Sequence, residues 1–356
     1  MEDIRKRIEE IEKEIRETPY HKGTQHHIGR MRARLSQLKD QLMESGSRKG
    51  GGGGERFAVK KHGDATVVLV GFPSVGKSTL LNSLTNAKSP TAAYAFTTVT
   101  VIPGMMNYRG AKIQILDVPG LIEGASAGRG RGREVLSVIR SADLLLIMAE
   151  VGQESHFNLM NSELEENGVR INQEQPKIKI RKTLSGGLQV HSPAKQDISI
   201  ETIRGILQQF HFVNAEVSLG EKISMDRLIN AFAKNRVFVP ALFVVSKIDL
   251  HHAKQDDEFL GVSAEKKIGL DELREAIWEK LRFVRVYLRK SDGDTDYNEP
   301  LIMHEGQTLQ DVAEKIGTEF APTVKEAKIW GLGSRFPGQK VSMSIKVQDE
   351  MEVMFE

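Results

Sequence analysis

The stretch Val67-Val-Leu-Val-Gly-Phe-Pro-Ser-Val-Gly-Lys-Ser-Thr79 decides how the rest of the chain is read. A β-branched run, Val67 to Val70, ends at Gly71, and Gly76-Lys77-Ser78-Thr79 opens an apolar helical pattern through Leu80, Leu81 and Leu84. The spacing is that of a P-loop, G-x-x-x-x-G-K-[ST], in a strand–loop–helix context. Glycine lets the backbone curl so that its N–H groups point into a concavity suited to phosphate, and the helix start adds its positive dipole end. Gly71, Pro73, Ser74, Val75, Gly76 and Thr79 form the cradle in this reading. Lys77 would reach the β- and γ-phosphates, and the Ser78 hydroxyl would ligate Mg2+. A glycine turn matching by chance would lack the flanking strand and helix, so the stretch implies a bound nucleoside triphosphate.

Downstream, Val101–Tyr108 and Ala111–Leu116 read as strands joined by a turn, and the second ends at Asp117-Val-Pro-Gly120. An Asp at the C-terminal edge of a strand sits where an open α/β sheet holds its ligand. Asp117 would hold the Mg2+ shell, directly or through water, and the Gly120 amide would sense the γ-phosphate. The following loop, Gly124-Ala-Ser-Ala-Gly-Arg-Gly-Arg-Gly-Arg133, is glycine-rich and basic, and its place suggests an order–disorder switch. Two buried-type strands, Leu144–Ala149 and Pro240–Val245, lie too far apart for one helical crossover. Residues 154–233 are therefore read as an inserted α+β subdomain, with strand-like Ile178–Ile180 and Leu188–Val190 and helical Ser199–Phe210 and Met225–Phe232. Strand ends at Ser246-Lys-Ile-Asp249 and Ser263-Ala264 complete a doubly wound sheet and add nucleotide contacts. Guanine offers donors at N1 and N2 that one carboxylate accepts together, which adenine does not. Asp249 is placed for that pair and Lys247 for covering the base, so GTP is favoured over ATP.

The flanks are separate elements. Ile4, Ile8, Ile11 and Ile15 form one apolar stripe, and Ile28, Met31, Leu35, Leu38 and Leu42 a second, with Pro19 and Gly23 between them. Two such helices should fold back as a hairpin. The second carries Arg30, Arg32, Arg34 and Lys39, either a solvated face or one that meets RNA phosphates. Gly50 to Gly54 belong to a flexible tether. After Phe283, alternating strands and a helix capped at Thr308 fit a small β-grasp module. With 356 residues, 39% hydrophobic and 28% charged, the chain is expected to hold two or three globular domains. No apolar run nears the roughly 20 residues of a membrane span, and the charged start does not read as a signal peptide. The absence of cysteine makes a cytoplasmic location the expectation. A net charge of +2 means that any nucleic-acid affinity must come from local patches.

The runs Gly71–Leu81, Tyr94-Ala-Phe-Thr-Thr98, Gly110–Gly124, Gly128–Arg133, Gly168-Val-Arg-Ile-Asn172 and Val284-Arg-Val-Tyr287 together resemble the developmentally regulated GTP-binding protein (DRG) family of Obg-class GTPases. The resemblance spans nearly the whole chain. It implies a P-loop GTPase with an N-terminal helical hairpin (1–47), a linker (48–56), a G domain (57–153 and 234–281), an insertion (154–233) and a C-terminal TGS domain (282–356). It further implies a cytoplasmic switch that binds GTP and GDP with Mg2+, hydrolyses GTP slowly and acts in translation. Its partners would be the ribosome or RNA, met through hairpin and TGS domain, and a protein regulator. Thr98 falls where the family's switch threonine reaches Mg2+ and the γ-phosphate, giving Lys77, Thr98 and Gly120 as catalytic positions and Ser78, Thr98 and Asp117 as metal ligands. Leu121 follows the switch glycine, where Ras-like enzymes place a water-orienting Gln and this class usually has a hydrophobic residue. Ser246 stands where the family has an Asn that braces P-loop and base, which implies a weaker hold on guanine. Ser74 stands where some relatives carry an Asn linked to potassium, and potassium dependence stays open. Two rival readings are an Obg-like ATPase, which would lack Asp249, and a non-hydrolysing RNA-binding scaffold, which would not need Lys77, Ser78, Thr98 and Asp117 intact.

Overall fold

A computed structural model describes residues 2–45, 62–85, 101–118, 138–250, 259–290 and 293–356. The tether at 48–56, Tyr94–Thr98, Gly120, Leu121 and the loop Gly124–Arg133 lie outside the described residues. Two compact units are formed, Met1–Arg56 with Leu164–Phe238, and Phe57–Glu163 with Val239–Glu356.

Helices α1 (Glu2–Glu17) and α2 (Gln25–Ser45) open the chain. They fold back on each other, tied by His27 to Glu14 at 3.0 Å and Lys39 to Glu12 at 2.8 Å. The second unit begins with β1 (Ala65–Gly71), buried at every position, which runs into α3 (Lys77–Leu84). The hairpin β2 (Ile102–Tyr108) and β3 (Ala111–Asp117) follows, then β4 (Leu144–Glu150) and α4 (His156–Glu166).

The chain then returns to the first unit. Short β5 (Val169–Ile171) leads to β6 (Ile178–Lys182), β7 (Leu188–His191), α5 (Ile200–Gln209), β8 (Ala215–Leu219), α6 (Met225–Phe232) and β9 (Val237–Val239). Strands β6, β8 and β7 form one sheet in that order, and β5 pairs with β9. Alternation puts Ile178, Ile180, Leu188 and Val217 on the face that meets Ile203, Ile206 and Leu207 of α5 and Leu228 of α6. Ile28 and Ala33 of α2 are buried in that same core. Burying a side chain the size of Ile28 is worth about 1.5–3 kcal/mol, enough to anchor the helix. The hairpin is therefore not a free arm on a tether: α2 is a wall of the inserted subdomain, a packing that the sequence pattern did not reveal.

Strand β10 (Ala241–Ser246) re-enters the second unit, followed by β11 (Leu260–Val262) and α7 (Leu270–Leu281). The six-stranded sheet runs β11-β10-β4-β1-β3-β2, parallel throughout except for β2. Leu80, Leu81 and Leu84 of α3 and Leu273 and Ile277 of α7 cover it. The C-terminal part comprises β12 (Phe283–Leu288), β13 (Leu301–His304), α8 (Leu309–Ile316), β14 (Glu326–Trp330), β15 (Gln339–Ser342) and β16 (Met351–Phe355). Its sheet order is β13-β12-β16-β14-β15, with β12 and β16 parallel and the other pairs antiparallel, the β-grasp arrangement. Thr308 and Asp311 form the expected capping box: Asp311 N donates to Thr308 Oγ1 at 3.4 Å and Thr308 N to Asp311 Oδ2 at 2.6 Å. No helix among the described residues is long and apolar enough to cross a membrane.

Candidate nucleotide site

Strand register gathers the site. Parallel pairing sets Leu69 of β1 beside Asp117 of β3, and Ser246 of β10 beside Glu150 of β4, so the ends of four strands meet at the edge where α3 begins. Between β1 and α3, Ser74 (φ 62°) and Gly76 (φ 95°) turn the chain through the left-handed region. A Cβ on Gly76 would meet no atom within 4 Å, so glycine is required there for conformation and not for space. Pro73 and Ser74 are exposed, whereas Val75 is buried and pins the loop to the core.

Lys77 Nζ donates to the carbonyls of Gly71 and Phe72, each at 2.9 Å, which arches the side chain across the loop. The Ser78 hydroxyl donates to Asp117 Oδ2 at 2.5 Å. Asp117 is almost fully buried, and its Oδ1 has no hydrogen-bond partner among the described residues. A desolvated carboxylate oxygen without a donor is costly unless a cation meets it. Beside a hydroxyl oxygen it is the hard-oxygen environment that Mg2+ favours, so the residues present fit the metal. Thr98, the third expected ligand, and Gly120 lie outside the described residues.

The base end is built from two loops. A pocket of about 100 Å3 is lined by Gly76, Thr79, Lys247, Asp249, Ser263 and Ala264 among others, which brings together site residues more than 180 positions apart. Asp249 is exposed, and a hydrogen bond from the Ser263 side chain holds its carboxyl below the usual range. An ionised carboxylate at this place is an acceptor of the kind that guanine N1 and N2 would need. Lys247, at φ 59°, sets its Nζ 3.0 Å from Glu150 Oε2, which fixes the stem beside the pocket.

Two roles escaped the sequence. The Ser246 hydroxyl, buried, lies 2.7 Å from the Val75 carbonyl and 3.1 Å from that of Ala149. It ties P-loop to sheet, so the bracing expected of an Asn survives in a shorter side chain. His156 packs against Phe72 of the loop, ring centroids 4.6 Å apart and planes tilted by 51°. Neither contact leaves a motif, because one depends on which strands are neighbours and the other on where the helix after β4 begins.

Comparison with known proteins agrees with this geometry. Residues 66–182 match the family described as 50S ribosome-binding GTPase, residues 185–283 the C-terminal region of that domain, and residues 284–355 the TGS domain. An uncharacterized GTP-binding protein of Methanocaldococcus jannaschii is 47% identical, over 97% of this chain and 91% of that one. Developmentally-regulated GTP-binding protein 2 of Homo sapiens is 37% identical, over 98% of this chain and 97% of its own. Developmentally-regulated GTP-binding protein 1 of Xenopus laevis is 38% identical, over 97% and 96%. The chain belongs to the developmentally regulated GTP-binding protein family. It is a GTP-binding protein with a P-loop GTPase domain and a C-terminal TGS domain. In this DRG-family chain, with Ser in place of Asn, the Ser246 hydroxyl takes up the contact to the P-loop and Asp249 stands exposed at the pocket.

Proposed function

We propose that this chain is a Mg2+-dependent, slowly hydrolysing GTP switch that works in the cytoplasm on the ribosome or on a translation factor, with a protein regulator. The observation that carries the reading is the pairing of the Ser78 hydroxyl with a buried Asp117 whose second oxygen lacks a partner among the described residues. Ser78 and Asp117 would hold the metal, joined by Thr98. Bound there, Mg2+ supplies charge neutralisation on the β- and γ-phosphate oxygens.

The chain's own groups do the rest. Lys77 places a positive charge against the β- and γ-oxygens, and the Gly120 amide and Thr98 report the γ-phosphate. Leu121 offers no group to orient water, so positioning and charge must account for the rate, and slow intrinsic turnover follows. Asp249 selects guanine.

The ribosomal part of the proposal is supported by the description of the matching family and by basic surface on α2. That surface is smaller than the sequence suggested. Arg32 is paired with Asp226 at 3.1 Å and Lys39 with Glu12 at 2.8 Å, whereas Arg30 and Arg34 are exposed. The test is ribosome co-sedimentation with GDP, with a non-hydrolysable GTP analogue and without nucleotide, at several salt concentrations. Pelleting that depends on the nucleotide, and that Arg30→Glu with Arg34→Glu weakens with a flatter salt slope, supports the reading. Pelleting that ignores the nucleotide, or none in any state, contradicts it.

A further inference from the structure

A second group of cations surrounds a cavity of about 530 Å3 in the first unit, walled by α2, the end of α4, β5 and α6. Arg170 on β5 and Arg236 just before β9 share one neutral acceptor: Arg170 Nη2 donates to Asn230 Oδ1 at 3.3 Å and Arg236 Nε to the same oxygen at 3.0 Å. Arg170 otherwise donates to the backbone carbonyls of Glu165 (2.8 Å) and Val169 (3.1 Å), and no carboxylate among the described residues lies within ion-pair distance of it. Arg236, whose side chain is only 11% exposed, donates to Ser36 Oγ at 3.0 Å. Its nearest carboxylate oxygen, of Asp40, stands at 3.7 Å, while the other Asp40 oxygen accepts from Lys234 N.

Two guanidinium groups close enough to share an oxygen repel, and burial adds to the cost. Structural arginines in such a place normally meet a carboxylate each, and here neutral oxygens do most of that work. The carboxylates that do line the cavity are Glu165, Glu166 and Asp226, and both oxygens of Asp226 are held by Arg32 at 3.1 Å. Lys39, whose ammonium is paired with Glu12 at 2.8 Å, also lines the cavity.

We propose that this cavity binds the phosphoryl group of a phosphorylated small molecule, with Arg170 and Arg236 as the oxyanion-holding pair. A tetrahedral dianion between the two guanidinium groups would remove their repulsion, competing with the neutral Asn230 oxygen for their N–H groups. The volume is that of a small-molecule site and leaves room for more than the phosphate. Burial pulls both guanidinium groups below their ordinary pKa, and for Arg236 the charge of Arg170 adds to that pull, while Glu165 and Asp226 oppose it at Arg170 and Asp40 opposes it at Arg236. The site shares no residue with the P-loop and goes beyond the GTPase reading.

Calorimetric titration of the full chain, saturated with GDP in Mg2+-free buffer so that the P-loop is filled and pyrophosphate meets no metal to chelate, tests it with pyrophosphate as probe. Saturable binding is expected at about millimolar affinity or tighter, and Arg170→Gln should weaken it at least about tenfold with GDP affinity unchanged. Should Arg170→Gln not fold, Lys39→Gln at the more exposed rim should still weaken it about threefold. No saturable heat in the wild type, or equal affinity in the variants, overturns the proposal. Binding of a 5′-phosphorylated RNA oligomer without binding of pyrophosphate overturns it also, because the contacts would then belong to a nucleic-acid surface.

Discussion

Ser246 Oγ lies 2.7 Å from the carbonyl oxygen of Val75, so the last residue of β10 holds the middle of the P-loop from below. A one-carbon hydroxymethyl side chain does this only because β10 and β4 are in register, with Ser246 opposite Glu150.

Ser246→Ala removes that donor from a buried site and leaves two carbonyls with one fewer partner. The expected cost is about 1–3 kcal/mol of stability and about a tenfold loss of GDP affinity. Thermal melting with and without GDP measures both. Unchanged values in both would remove Ser246 from the brace.

Ser78→Ala should uncouple nucleotide from metal. The wild type is expected to bind GTP at least about tenfold more weakly when Mg2+ is chelated, and the variant to show little response to Mg2+. Affinity titrations in Mg2+ and in chelator check this, and a full Mg2+ response in the variant would contradict the ligand assignment.

On the proposed reading Asp249 carries the base selectivity, so GDP should outcompete ADP by at least about tenfold, and Asp249→Asn should erase most of the difference. The sign of the pH effect follows from its environment. A hydrogen bond from Ser263 lowers the carboxyl pKa below its ordinary 3.8, so the group is charged above that value and neutral only below its own lowered one. Guanine affinity should therefore stay flat between about pH 5 and pH 8 and fall only in stronger acid. A fall centred near neutrality would point to another group.

Gly110→Ala tests how the β2–β3 turn is held. Gly110 sits at φ 86°, and a Cβ there would lie 2.5 Å from Pro300 Cγ, so strain and overlap coincide. A loss of about 1–3 kcal/mol in denaturant unfolding, without a change in m-value, is expected. A neutral effect would mean that the turn does not rest on Pro300.

Much of this was legible in the residues themselves. The P-loop, the strand ending at Asp117 and the capping box at Thr308 are local signals, each set by side chains within a few positions of one another. What the residues did not disclose depends on strand order and helix packing. Ser246 reads as a departure from a motif until register sets it under Val75, and Glu150 gains its role only as the neighbour of Lys247. The four cations of α2 look alike in sequence, yet Asp226, 194 residues away, neutralises Arg32. Strands β5, β9 and β15 are only three or four residues long, and the alternation of β8 (Ala215–Leu219) runs for just five, too short a stretch to stand out beside the helical patterns around it.

Single-turnover hydrolysis of γ-labelled GTP by the full chain, with Mg2+ and with chelator, addresses the central claim most directly. Slow phosphate release that requires Mg2+ is expected from the wild type, none from Lys77→Ala, and a reduced rate with nearly intact GDP binding from Thr98→Ala. Hydrolysis that persists in chelator or in Lys77→Ala, or ATP turned over as fast as GTP, would contradict the account.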